Sequence, residues 1–305
     1  MKRYILKRLG QAVITIIGIS MIVFLLTHLT GDPIALIAPQ SATIEDLQKI
    51  RIDYGFDKPI YVQYWKYISG VVRGDFGKSI RGNMPAIEMF WDRFPNTLKL
   101  AIASMGFALL FGIPIGIYSS VQVGRKFDNF GKIFALMGQA LPGFWVGILL
   151  IILFSTQLRI LPTSGMGDWR NYLMPAFTLG WYTMAALTRL SRSAMLDVLD
   201  SEYLKMARIK GVPEYKVILK HAFKNAAAPV ITISALQFVA LMNGTMIIET
   251  VFNWPGLGRL VVESIFGRDY PVVQMCLLIS SSFFVFANLF VDILYAYLDP
   301  RIRYQ

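Results

Sequence analysis

The chain has 305 residues, 55% hydrophobic and 16% charged, with 30 Lys and Arg against 19 Asp and Glu for a net charge of +11. Soluble domains carry about a quarter charged residues and roughly 45–50% apolar ones, so an ordinary water-soluble globule is excluded. The lone cysteine, Cys276, excludes an intrachain disulfide, a zinc site built on cysteines or an iron–sulfur cluster.

A membrane-crossing helix needs about 20 apolar residues for a hydrocarbon layer roughly 30 Å thick. Six runs qualify, at about 9–29, 97–121, 131–157, 174–191, 228–250 and 274–298. Lipid offers a backbone no hydrogen bonds, so each run is expected to be a helix. The first follows Lys2, Arg3, Lys7 and Arg8, as a secretory leader would. It continues to Leu29, however, and the following Thr30-Gly31-Asp32-Pro33 provides no small-residue cleavage site, so a retained span is expected.

Segment 31–95 is an external loop or lobe of balanced charge, with eight Lys or Arg and eight Asp or Glu between Asp32 and Arg93. Thr43 with Asp46 resembles a capping box, Ile44, Leu47 and Ile50 follow at helical spacing, and Gly55 stands where a C-cap would. Tyr61, Tyr64, Trp65 and Ile68 mark a second amphipathic helix over Ile60–Val72. The pair could build a small lobe or lie on the bilayer surface. Pro114 and Pro142 interrupt the second and third runs, and Thr178, Thr183 and Thr188 make the fourth the weakest.

Basic residues set the topology. Positive charges precede the first run, flank the second-to-third connection (Arg125, Lys126, Lys132 against Asp128) and fill the fourth-to-fifth loop from Lys205 to Lys224. Arg301 and Arg303 close the chain, whereas the alternate loops are poorer in excess charge. Six spans with both termini in the cytoplasm satisfy this pattern. The same pattern accounts for the net charge without a nucleic-acid partner.

Catalytic motifs are missing. His28 and His221 lie far apart, and no HExxH, GxSxG or Walker A pattern occurs, so neither an enzyme nor an ATP-binding or metal site is expected in this chain. Pro255-Gly256-Leu257-Gly258-Arg259, after Phe252-Asn253-Trp254, reads as a tight outer turn. Polar residues within spans are costly and face interiors or cavities, which makes Gln237, Asn243 and Glu249 candidate pathway-lining residues. An interhelical hydrogen bond is the alternative for Asn243, and pairing with a loop Arg for Glu249. The loop 197–225 reads as two short helices broken at Gly211-Val212-Pro213, with Val198, Tyr203, Met206 and Ile209 as apolar members. It could form a protruding knuckle or rest on anionic lipid.

Four stretches resemble one family: Thr30-Gly31-Asp32-Pro33 with YGFDKPIYVQYWKYI (54–68) and RGDFGKSI (73–80), EYLKMARIKGVPEYKVILKHAFKNAAAPVIT (202–232), ETVFNWPGLGRLVVESIFGRDYPVVQ (249–274) and DILYAYLDPRIRY (292–304). They resemble the inner-membrane permease subunits of peptide-type ABC importers (dipeptide, oligopeptide, glutathione and nickel systems), and the first of the two paired permeases. The resemblance implies an all-α membrane fold with a five-helix permease core over 96–298, preceded by the N-terminal helix (1–30) and followed by a cytoplasmic tail (299–305). It implies that 197–225 holds the coupling helix that docks on an ATPase subunit, with Glu202, Ala207, Gly211, Val212 and Pro213 as coupling residues. Where the broad pattern opens Glu-Ala-Ala, this chain has Lys205-Met206-Ala207.

The implied partners are a second permease, two ATP-binding cassette subunits that hold ATP–Mg, an external substrate-binding protein, membrane lipid and a peptide substrate. An ion-coupled carrier is the competing class, although no inverted repeat is evident between the two halves.

Overall fold

A computed structural model describes residues 2–29, 43, 45, 48, 52, 57–243 and 245–298. The helix expected from Thr43 to Gly55 lies mostly outside these residues, as does the tail 299–305. The described residues hold helices and one isolated β-bridge, Lys78 with Pro85. We label the main helices α1 Lys2–Leu29, α2 Ile60–Val72, α3 Ala86–Phe107, α4 Ile113–Val121, α5 Lys126–Ala140, α6 Gly143–Leu150, α7 Arg170–Leu199, α8 Glu202–Ile209, α9 Phe223–Asn243, α10 Thr245–Val251, α11 Leu257–Phe266 and α12 Tyr270–Leu298. Two compact units result: Met1–Pro95 with Gly256–Gln305, and Asn96–Pro255.

In the first unit α1 packs along α12. The amphipathic pattern expected over 60–72 is α2, whose Tyr64 hydroxyl lies 2.8 Å from that of Ser20 and whose Tyr64 and Tyr67 rings meet Phe24. Its other face leaves Tyr61, Trp65 and Val72 exposed. Asp269, nearly buried, fastens the loop after α2, accepting hydrogen bonds from the Ser79 hydroxyl and the Ile80 N–H.

The second unit is built around α7, against which α4, α5, α6, α9 and α10 all pack. Among the described residues, four helices are long and apolar enough to cross a membrane without a break: Arg8–Leu26, Ala86–Val121, Glu214–Met242 and Tyr270–Val291. Lys126–Ala140 and Gly143–Gln157 reach that length only together, as a pair bent by 106° that makes either a broken span or a re-entrant loop. The fourth run, part of α7, lacks that apolar character for a physical reason: its neighbours surround it. Thr178, Thr183, Thr188 and Ser191 are all buried there, and the Thr188 hydroxyl lies within hydrogen-bonding distance of the carbonyls of Met184 and Gly112. Small residues and hydroxyls suit helix-to-helix contact better than contact with lipid.

The two prolines act differently. Leu141 before Pro142 is extended (φ −89, ψ 129), as the ring of a following proline favours, and the helix breaks there. Ile113 before Pro114 stays helical (φ −66, ψ −51) because a wide i→i+5 turn over Ala108–Gly112 makes room for the ring. Similar wide turns run over Ile151–Gln157 and Val217–Ala222.

Candidate functional site

The loop 197–225 is ordered by local chemistry. After Ser201, α8 runs to Ile209 and ends in a Schellman cap: the Val212 N–H donates to the Ala207 carbonyl at 3.2 Å and the Gly211 N–H to that of Arg208 at 2.9 Å. That cap needs a left-handed residue, and Gly211 has φ +75. A Cβ on Gly211 would meet nothing within 4 Å, so glycine stands here for its backbone angle and not for space. Pro213 (φ −57, ψ 139) then starts the next turn, its carbonyl accepting from the Lys216 and Val217 N–H groups. Arg208 forks onto Glu214 across the break, with Nη2 to Oε1 at 3.0 Å. The hydrogen bond to the Glu214 carboxylate holds the Arg208 guanidinium above its ordinary pKa.

Helix α8 has two apolar faces. Leu204 is fully buried and Ala207 packs beside it, joining Val217, Ala222, Val198 and Val212 in the core that also contains Met195 and Leu187 of α7. Burying a leucine side chain stabilises by about 1.5–3 kcal/mol, so α8 is seated on the turn Val217–Ala222, which in turn packs on α7. The opposite face exposes Tyr203, Met206 and Ile209, the last 79% exposed, with Tyr215 and Leu219 beyond the break. Glu202 lies on the solvent side and pairs with Lys205 at 2.8 Å.

Helix α7 is gripped along its length. A Cβ on Gly112 would approach the Met184 carbonyl to 2.7 Å, one on Gly180 the Ser104 carbonyl to 2.6 Å, and ones on Gly116 and Gly138 would overlap Thr188 and Ala185. Gly112 and Gly116 thus form a GxxxG seam that brings backbones together. A buried carboxylate closes the same interface. Asp128, in the first turn of α5, accepts from the Ser119 hydroxyl at 2.7 Å, the Gly124 N–H at 2.9 Å and Arg192 of α7 at 2.7 and 3.1 Å, and pairs with Lys132 at 2.7 Å. By sequence Asp128 is a lone acid in a basic loop, and nothing local marks Arg192, 64 residues away on α7, as its partner.

A cavity of about 290 Å³ opens between the start of α6 (Gly143, Phe144), α7, α9 and α10. Its polar lining is Thr178, Tyr182, Thr183 and Gln237, with no charged side chain. Gln237, one of the candidate residues from the sequence, lines this cavity. Glu249 is not among the lining residues: it is fully buried and accepts a 2.7 Å hydrogen bond from Thr97. The Asn243 side chain lies outside the described residues. Beside Glu249, Asn253 takes a left-handed φ of +50 and Trp254 is buried with its indole N–H on the Asn96 carbonyl; the turn falls at Phe252–Asn253, and Leu257 to Arg259, expected within a tight turn, begin α11.

Residues 112–304 match the family described as binding-protein-dependent transport system inner membrane component, and residues 1–101 match its N-terminal counterpart. The chain belongs to this family. The glutathione transport system permease protein GsiC of Salmonella paratyphi A and that of Escherichia coli K12 are each 44% identical to it over 306 residues, covering 100% of both chains. Among solved structures, the MetNI methionine ABC transporter in inward-facing conformations matches with a TM-score of 0.57 at 14% identity, over 70% of this chain and 97% of that one, a likeness of fold alone. The protein is thus a multi-pass inner-membrane permease subunit of a peptide-type ABC importer, and not itself an enzyme. Such a permease works with a partner permease, ATPase subunits and a binding protein.

Proposed function

We propose that this six-span permease, with both termini in the cytoplasm, forms half of a translocation pathway for glutathione, and that α8 is the helix on which an ATPase subunit docks. The carrying observation is that Leu204 and Ala207 seat α8 in the core on the turn Val217–Ala222, which packs on α7, while Tyr203, Met206 and Ile209 remain exposed on its other face. A helix held this way passes on a push. ATP–Mg held by two ATPase subunits supplies the energy, and this chain shifts between two states only through what binds each state differently. Ala207, Val212 and Pro213 keep the turn rigid, Gly211 sets its direction, and Glu202 stands at the docking edge.

The uncharged cavity beside Gln237 suits a pathway, where contacts must be weak enough for release. Glutathione is chosen over longer peptides because permeases named for glutathione transport match this chain end to end at 44% identity. The test is uptake of radiolabelled glutathione into proteoliposomes that hold this chain, its partner permease, both ATPases and ATP, fed by the binding protein. Saturable uptake that an excess of dipeptide leaves unchanged supports the assignment. Uptake of dipeptide with glutathione excluded sinks the substrate, and glutathione uptake by this chain alone sinks the ABC mechanism.

A further inference from the structure

The chain buries one carboxylate far from the cavity and surrounds it with more partners than a helix cap needs. Asp128 is fully buried, and each oxygen has more than one donor: Ser119 and Arg192 on Oδ1, and Gly124, Arg192 and Lys132 on Oδ2. These donors come from the end of α4, the α4–α5 connection, α5 itself and α7. A buried charge left without partners is strongly unfavourable, so the three helices cannot slide past one another here while the cluster is intact. The guanidinium fork adds direction, which a single ammonium contact would not.

Location gives the cluster a task. Arg192 lies seven residues before Leu199, about 10 Å along α7 from the end that leads into α8. Helix α5 runs from the cluster to the 106° bend, beyond which Gly143 and Phe144 line the cavity beside Thr178, Tyr182 and Thr183 of α7. A push on α8 reaches α7 through the turn Val217–Ala222, which packs on both. The α5–α6 unit already packs along α7, and the cluster holds it to α7 at the loop end as well.

We infer that Asp128 is a positioning residue for gating: with Arg192 it locks the α4–α5 hairpin to α7, so that force from the ATPase moves the α6 and α7 sides of the cavity together. The inference rests on the permease reading above.

The experiment uses the complete complex and needs no substrate. Cys276 is the only cysteine, so Cys276→Ser with Tyr182→Cys leaves one thiol, at the cavity. Its labelling rate with a maleimide is compared with and without ATP and vanadate, and trapped nucleotide is counted in parallel. In the parent, trapping is expected to change the rate at least about fivefold, the lower end of ordinary coupling between sites. Adding Asp128→Asn should leave the trapped nucleotide unchanged and shrink that change to within about twofold of none. An Asp128→Asn complex that responds like the parent, or that loses trapping and response in proportion, overturns the inference alone. Should Asp128→Asn fail to assemble, Arg192→Lys is read instead, since it keeps the charge without the fork; a full response there overturns the inference equally. A parent that never answers nucleotide overturns the permease gate, and the inference with it.

Discussion

The seam between α4 and α7 and the turn after α8 both depend on glycine, for opposite reasons. At Gly116 the backbone is helical and any side chain would do conformationally, but Thr188 and Ser191 occupy the place of a Cβ. At Gly211 there is open space and the backbone is left-handed. A tight interior and a directed surface turn thus require the same residue through packing in one case and through φ in the other. One substitution, glycine to alanine, separates them.

Gly116→Ala should be the most damaging, because the overlap is with a backbone carbonyl that no rotamer change relieves. We expect a loss of about 1–3 kcal/mol or more, read as a lowered thermal midpoint of the purified permease. Gly211→Ala should cost about 1–2 kcal/mol of left-handed strain, and Gly211→Asn visibly less, since asparagine visits that region more readily. Equal midpoints for Ala and Asn at position 211 would show that φ is not the constraint. Gly106 lies in α3 with nothing near its Cβ position, so Gly106→Ala should be neutral or stabilise by up to about 1 kcal/mol through helix propensity. Ile209→Ser sharpens the contrast from the functional side. This exposed position should shift stability by no more than about 0.5 kcal/mol, while co-purification of the ATPases falls. Unchanged co-purification would argue against the exposed face of α8 as the docking surface.

How much of this was legible followed the range of the interactions. The break at Gly211-Val212-Pro213 was visible because turn chemistry is local: a left-handed glycine and a proline start are written within three residues. The helix over 60–72 was equally plain from its aromatic spacing. The fourth run reads as the weakest span, and α7 does lack a long apolar window, because hydropathy measures fitness for lipid and α7 meets mainly protein. At Gly211 the turn alone calls for glycine, since its φ is +75 and its Cβ position is open. The Asp128–Arg192 pair could not be read, since the partners stand 64 residues apart and neither carries a local mark beyond a lone acid in a basic loop. Glu249 looked like a pathway group for the same reason: an acid near a span end reads alike whether it faces a channel or a threonine.

The wide turn at Val217–Ala222 carries a consequence for phase. Each i→i+5 turn holds one residue more than a uniform α-helix, so everything after it is rotated by about 100° relative to an unbroken 3.6-residue repeat. Gln237 meets the cavity with that offset included. A chain with one residue deleted between Val217 and Ala222 could form a more regular helix and still keep every apolar residue of α9. It would, however, turn a different stripe of α9 toward the cavity. The irregularity is part of the address of Gln237, and straightening it would change what the cavity presents.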